Sequence, residues 1–316
     1  MFILSAIKRV PEEIRAHFEQ TFEDVEFLFC HGIEEAEQHL PKADVFVTYG
    51  EDLNDDRINA AQQLKWIMVL SAGMDRMPFK AIDQRNILVT NVRGIHAKPM
   101  AEYAMSMVLQ VARNAKRLME RERDHIWDRR VPMTEINQST MVLLGTGAIA
   151  QETARLAQAF KMKTIGISKS GQSKEFFDET YKVESMDVAL KEADFLIAVL
   201  PSTPDTKYLL TKDHFKKMPS HSVFLNMGRG DLVKSEDILN AVRSSDIGHA
   251  VLDVFEEEPL PENHVFWDEE NITVTPHLSG ISRHYVPRGF ELFERNLNAY
   301  RQGTKMENII DAKRGY

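Results

Sequence analysis

Apolar residues fall along the first third of the chain in short runs: Met1 to Ala6, Val25 to Cys30, Val45 to Tyr49, Trp66 to Leu70 and Ile87 to Asn91. Runs of that length bounded by polar residues predict buried strands, and segments such as Pro11 to Gln20 between them carry apolar residues at helical spacing. Alternation of the two patterns is what a parallel sheet covered by helices produces, so the expected fold class is α/β and the first domain is small and doubly wound. Pro99 then opens MAEYAMSMVLQVARNAKRLMERERDHIW, with proline near a first turn and a sustained helical period. It predicts one long helix joining two domains, whose charged end from Lys116 to His125 is a solvated face laced with i,i+4 pairs. A second series of runs follows at Met141 to Leu144, Thr164 to Ser168, Tyr181 to Val183, Phe195 to Leu200, Val223 to Asn226, Ala250 to Val254 and Ile272 to Thr275. These predict a larger doubly wound sheet, after which Pro287 to Arg301 returns to helical period. No internal repeat or low-complexity tract interrupts the series.

The 316 residues suit two domains of ordinary size. With 43% apolar and 28% charged residues, disorder is excluded as the main theme. The charges, 39 basic against 48 acidic, sum to −9 with no basic block, so nucleic acid is not an expected partner. A membrane is not expected either, since runs such as Phe195 to Leu200 fall far short of the ~18 apolar residues that a bilayer helix needs. MFILSAIKRV places its apolar residues before Lys8 and Arg9, the reverse of a signal peptide. The single cysteine, Cys30, reads as a small buried hydrophobe in a reducing, cytoplasmic compartment. His214 with His221, and His277 with His284, lack cysteine partners or a ligand cluster, so no metal site is expected. Lys8, Arg9, Lys313 and Arg314 read as solvated charge, and Trp127 and Trp267 as packing groups.

Gly145-Thr146-Gly147-Ala148-Ile149-Ala150 follows one strand and opens the helical pattern QETARLAQAF, the context that a dinucleotide-binding G-x-G-x-x-A turn requires. Gly145 permits the turn, Gly147 lets backbone N–H groups approach a pyrophosphate, and Ala150 keeps the helix close to the strand. A plain glycine turn in a βα unit is the alternative. The next strand should end on an acid that holds the ribose 2′-hydroxyl of NAD, but Ser168, Lys169 and Ser170 stand there instead. A cation flanked by two hydroxyls suits the 2′-phosphate of NADP, so NADP is the expected cofactor with NAD second; a mere loop lysine is the bland reading.

Three charged residues lie just past three later strands: Arg229 after VFLNMG, Glu258 after AVLDVF and His277 after ITVTP. In a parallel sheet those ends share the edge that carries the glycine turn. Singly, each has an ordinary reading as a turn cap, part of an acidic run or a loop histidine. Together they supply what reduction of a 2-oxo acid by hydride needs: His277 as proton donor, Glu258 keeping the imidazole protonated and fixing its tautomer, and Arg229 gripping the carboxylate and polarising the carbonyl.

With these residues in place the chain resembles the D-isomer-specific 2-hydroxyacid dehydrogenases over nearly its whole length, most specifically in LLGTGAIA, ADFLIAVLPSTPDT, FLNMGRGDLV, AVLDVFEEEPLP and NITVTPHLSG. The resemblance implies that Arg229, Glu258 and His277 are the catalytic trio, Glu258 being the match because it directly precedes Pro259, unlike Glu256 or Glu257. It implies nicotinamide contacts from Asp253 and the backbone around Met227, and cofactor contacts from the Leu200-Pro201 turn and Thr206 as well as from Gly145 to Ile149. Ser71-Ala72-Gly73-Met74-Asp75 looks like the family's substrate loop, whose backbone at Ala72 and Gly73 receives the substrate carboxylate. Arg93 and His96, in the segment leading to the hinge helix, stay open between the cleft and an ordinary loop role.

The architecture implied is a discontinuous, flavodoxin-like substrate domain at 1–97 and 286–316 and a Rossmann dinucleotide-binding domain at 98–285, with the active site in the cleft between them. Family members are commonly dimers built around the long helix, which would bury part of Met105 to Met119 in a homodimer. Ser168-Lys169-Ser170 is similar to the Ser-Arg-Ser turn of NADPH-using glyoxylate and hydroxypyruvate reductases, which suggests a small 2-oxo acid as substrate and the 2-hydroxy acid as product. Glu258 argues against a formate-type enzyme, which pairs its histidine with an amide. A dinucleotide-sensing interaction protein of the same fold carries long disordered extensions, whereas this chain ends at Tyr316 soon after the last helix; a short form of phosphoglycerate dehydrogenase is a further alternative.

Overall fold

The computed structural model describes residues 1–71, 74 and 76–312, so Ala72, Gly73, Asp75, Lys313 and Arg314 lie outside the described residues. The chain forms two compact units, one made of Met1–His96 together with the chain from Ser282 onward, the other of Ala97–Ile281.

The first unit holds five parallel strands, β1 (Phe2–Ser5), β2 (Glu26–Phe29), β3 (Val45–Thr48), β4 (Trp66–Val69) and β5 (Leu88–Asn91), in the order β2-β1-β3-β4-β5. That is the order of a flavodoxin-like domain, which the family resemblance implied. Every residue of β3 and β4 is buried, because helices cover both faces of a parallel sheet. The period of two sorts them: Leu4, Phe46, Ile67 and Val89 enter one core, while Ile3, Val45, Val47, Trp66 and Met68 enter the other. The helix Tyr285–Gln302 packs Phe290, Phe293 and Leu297 into that second core, where Phe293 lies 5.3 Å from the ring of Trp66 and Trp66 donates to Thr90 Oγ1 at 2.8 Å.

The second unit holds seven parallel strands, β6 (Thr140–Leu144), β7 (Lys163–Ser168), β8 (Glu179–Lys182), β9 (Phe195–Ala198), β10 (Val223–Asn226), β11 (His249–Leu252) and β12 (Ile272–Val274). Their order, β12-β11-β10-β9-β6-β7-β8, reverses direction at β6, which places a topological switch point between β6 and β9. All twelve strands coincide with the runs read from the sequence, to within a residue or two at their ends. On one face of the larger sheet Leu143, Ile197, Leu225 and Val251 meet Ala104, Ala112, Ala150, Ala154 and Ala157, so small side chains let two helices lie close against the strands.

The expected single long helix is two. It runs Ala97–Ala112, breaks, and resumes as Ala115–Arg123 with Asn114 in the left-handed region at φ 50°. Asparagine tolerates that conformation better than most residues, and the following loop takes over the helix's bonds. Thr134 N–H donates to the Ala112 carbonyl at 2.8 Å and Asn114 Nδ2 donates to Pro132 O at 2.7 Å. Both pieces belong to the second unit. The second piece buries no residue, as its charge pattern predicted. Trp127, read as a packing group, is instead 92% exposed among the described residues, beside Leu118 and Ile126, which are exposed too. Trp267 is half-exposed and donates its indole N–H to Pro261 O at 2.9 Å. Among the described residues no helix is long and apolar enough to cross a membrane, and no cluster of His, Cys, Asp or Glu could hold a metal.

His249 sits in this sheet with Nε2 2.9 Å from Thr273 Oγ1, and burial, with a smaller push from Lys116, drives its pKa down to about 4. The unfolded chain therefore binds a proton near pH 6.5 that the folded chain refuses until about pH 4. The resulting stability is fully present above pH 6.5 and is lost as pH falls towards 4. Replacing His249→Gln should flatten the fall in melting temperature across that window; an unchanged slope would show that His249 does not carry it.

Candidate active site

Because every strand of the larger sheet is parallel, the loops that follow β6, β7, β9, β10, β11 and β12 all emerge at one edge. The turn after β6 is the glycine motif. Gly145 has φ 109°, which a residue with a Cβ adopts only under strain, and its N–H donates to Ile167 O at 2.8 Å. Thr146 is buried, and its carbonyl accepts from Gln151 Nε2 at 3.0 Å. Gly147 precedes the helix Ala148–Ala159 without any side-chain cap, and a Cβ built on it would meet nothing within 4 Å. Open space over uncapped N–H groups, at the positive end of a twelve-residue helix, fits the pyrophosphate of a dinucleotide. Ile149 is half-buried and Ala150 fully buried, as the close approach of helix to strand requires.

Past β7, Ser168 Oγ accepts Gly171 N–H at 3.2 Å and Ser170 Oγ accepts Gln172 N–H at 3.3 Å. Among the described residues neither hydroxyl donates, so each hydrogen can serve an acceptor oxygen. Lys169 Nζ lies 2.9 Å from Asp205 Oδ2. Past β9, the half-buried Leu200 and exposed Pro201 open a loop closed by Thr206, whose hydroxyl donates to Pro201 O at 2.6 Å and accepts Thr203 N–H at 2.8 Å. Thr206 thus shapes the loop from within.

Past β10, Met227 is buried with its N–H on Ala198 O at 3.1 Å, and Asn226 braces the next turn by accepting Gly228 N–H and donating to Arg229 O. A Cβ on Gly230 would fall 1.9 Å from the Phe255 carbonyl carbon, so that glycine lets the turn of half-buried Arg229 lie directly on the chain leading to Glu258. Sequence reasoning overlooked Gly230; the signal was the pair of glycines flanking Arg229.

Glu258 and His277 meet. Glu258 Oε2 is 2.7 Å from His277 Nδ1, and Oε1 accepts Phe255 N–H at 2.9 Å. A carboxylate only accepts, so the proton lies on Nδ1 and Nε2 is the working end of the imidazole, which is half-exposed. Glu256 is used differently: it accepts Ser235 N–H at a helix start and Tyr208 O–H, and those bonds hold its carboxyl below the usual range against the opposing effect of burial.

His277 itself has φ 49°, a conformation costing about 1–2 kcal/mol outside glycine. Asp253, fully buried, holds the loop there. Its Oδ1 accepts Thr275 Oγ1–H at 2.6 Å and Leu278 N–H at 2.9 Å, and its Oδ2 accepts Ser279 N–H at 2.9 Å. Since Thr275 spends its one hydroxyl hydrogen on Asp253, Tyr103 O–H must donate to Thr275 Oγ1 at 2.7 Å. Burial keeps the Tyr103 hydroxyl well above its usual titration range, in its donating form. Neither Tyr103 nor Thr275 was legible as a site residue, because their contact joins positions far apart in sequence.

In the first unit Arg93 is exposed, with its carbonyl receiving Asn308 Nδ2 at 2.9 Å, and the His96 ring lies 5.1 Å from that of Tyr285. Ala72 and Gly73, expected to bind substrate, lie outside the described residues.

Comparison with known proteins finds similar sequences and folds. The NAD-binding domain of the D-isomer specific 2-hydroxyacid dehydrogenases matches residues 105–279. The glyoxylate reductase/hydroxypyruvate reductase of Mus musculus is 31% identical over 229 residues, 71% of this chain and 70% of its own length. Among solved structures, a D-isomer specific 2-hydroxyacid dehydrogenase family protein from Aeromonas salmonicida superposes with a TM-score of 0.85 at 29% identity, covering 98% of both chains. The NADPH-dependent glyoxylate/hydroxypyruvate reductase of Sinorhizobium meliloti, solved with NADP and sulfate, gives 0.84 at 29% identity, covering 100% of this chain and 99% of its own.

The clamp on the His277 loop predicts that Thr275→Val, which strips a partner from a buried carboxylate, lowers stability by about 1–3 kcal/mol in a denaturation experiment, while Thr275→Ser does not. Unchanged stability in Thr275→Val, which keeps the threonine methyl and drops only the hydroxyl, would show that the bond to Asp253 does not hold the loop.

Proposed function

The chain belongs to the D-isomer specific 2-hydroxyacid dehydrogenase family, and from that premise we propose that it reduces a small 2-oxo acid to the D-2-hydroxy acid with NADPH as preferred reductant. One observation carries the reading: the Glu258–His277 pair, 2.7 Å apart, emerges at the sheet edge that also carries Arg229 and the uncapped helix start at Gly147. A bound nicotinamide dinucleotide supplies the hydride. The protein's part begins with the dinucleotide's anionic oxygens, which the N–H groups around Gly147 and Ala148 would receive. Arg229 presents a planar fork that binds the substrate carboxylate and polarises the 2-oxo group. As the carbonyl carbon gains a hydride its oxygen gains negative charge, and His277 Nε2 gives that oxygen a proton. Glu258, facing Nδ1, stabilises the imidazolium before transfer and keeps the ring turned so that Nε2 faces outward.

Two supports favour NADPH and a short acid. Lys169 lies between two hydroxyls that can each donate, and the Sinorhizobium meliloti reductase, so similar in fold, was solved with NADP. Glyoxylate and hydroxypyruvate are the leading substrates. The exposed apolar side chains of Leu118, Ile126 and Trp127, which lie together, support a homodimer in which a second copy covers them.

Initial rates with glyoxylate, hydroxypyruvate, pyruvate, phenylpyruvate and 2-oxoisocaproate, each with NADPH and NADH, test the reading. Fast NADPH turnover of a short acid is expected, and His277→Ala should cut turnover at least ~100-fold. Near-normal turnover by that variant would remove His277 from the mechanism. Separately, light scattering should find Trp127→Glu shifted towards monomer; an unchanged mass would place the interface elsewhere.

A further inference from the structure

The sequence lacks an acid at the end of β7, where a dinucleotide-binding sheet usually offers one to the ribose. The fold supplies one from another loop. Asp205, on the loop after β9, puts Oδ2 2.9 Å from Lys169 Nζ, on the loop after β7. Because β9 and β7 flank β6 in the sheet, this pair bridges the loops on either side of the glycine turn. Asp205 is presented by a braced segment: Thr206 O–H donates to Pro201 O, Thr203 N–H donates to Thr206 Oγ1, and Thr206 N–H donates to Thr203 O at 3.0 Å. Both charged side chains stand largely in water, at 88% and 74% exposure, so the ion pair contributes little to the fold and exchanges partners readily.

We propose that Asp205 moderates the coenzyme preference of this site by holding Lys169 in an ion pair that the 2′-phosphate of NADPH must displace. The proposal rests on the NADPH reading above and deepens it. A 2′-phosphate carries nearly two negative charges; when it takes Lys169, Asp205 is left as a like charge at close range. NADH asks for no such exchange. The pair stays closed, and the carboxylate can accept from a ribose hydroxyl, doing from Asp205 what an acid at Ser168 would have done. Asp205 therefore moderates the preference that Lys169 creates, and the site uses both coenzymes with NADPH ahead.

The test is the ratio of kcat/KM for NADPH to that for NADH in purified Asp205→Asn, Asp205→Glu and Lys169→Ala, at low salt and in 1 M KCl. Asp205→Asn should raise the ratio about three- to tenfold at low salt, and the gain should shrink in 1 M KCl, where charges beyond ~3 Å are screened. Asp205→Glu should keep the wild-type ratio, and Lys169→Ala should lower it. A ratio that is unchanged or lower in Asp205→Asn, while Lys169→Ala still lowers it, overturns the role of Asp205 and leaves the NADPH reading standing. A ratio that does not fall in Lys169→Ala overturns both. A rise in Asp205→Asn that persists undiminished in 1 M KCl also overturns the proposal, because an altered loop shape rather than charge would then be its cause.

Discussion

A buried carboxylate must be satisfied where it sits, and the three hydrogen bonds to Asp253 make that requirement a constraint on the whole site. Two of its donors are the N–H groups of Leu278 and Ser279, so the chain after β12 has to curl back onto the end of β11. His277 lies inside that curl, in a left-handed conformation that few residues with a side chain adopt and that histidine enters more readily than most. Turning its backbone that way brings Nδ1 to Glu258, and the geometry of the pair follows from the anchoring of Asp253 rather than from the attraction between imidazole and carboxylate. A half-exposed pair is too weakly attracted in water to order two loops by itself.

The parallel sheet does the rest of the gathering. Strands that all run one way deliver these loops to one edge, and several are held by contacts that leave little freedom. Gly230 lets the Arg229 turn rest on the Phe255 backbone, Asn226 ties the same turn at both ends, and Thr206 closes the loop after β9 on itself. Such preorganisation matters for a reaction whose charge develops on one oxygen, because donors already in place need not reorient when the charge appears.

How much of this was legible in the sequence depended on how local the cause was. The central strands could be read because a strand buried on both faces is an apolar run, while the part-buried edge strands β2 and β8 showed only as shorter or mixed runs. The glycine turn and the trio Arg229, Glu258 and His277 could be read for a related reason: each comes just after a strand, and parallel strands gather their outgoing loops at one edge. The helix break at Asn114 could not, because apolar spacing continues through it and the carbonyl of Ala112 is captured by Thr134, some twenty residues on. Tyr103 and Thr275 were hidden in the same way. Trp127 was misread because an aromatic residue is ordinarily assigned to the core of its own chain, and here it faces outward.

Charge at the site follows a single rule that the net charge of −9 conceals. Two of the cations proposed to receive an anion already face a carboxylate of this chain, His277 with Glu258 and Lys169 with Asp205. The two pairs differ in what an arriving anion does to them. Glu258 meets Nδ1 while the substrate would engage Nε2, so the first pair persists through the reaction and reinforces it. Asp205 and a 2′-phosphate would engage the same ammonium, so the second pair competes. An acid on the far side of a cation from its ligand strengthens the cation's function, whereas an acid on the ligand's own side regulates access. The imidazole, with two distinct nitrogens, permits the first arrangement; the lysine, a single point of charge, permits only the second.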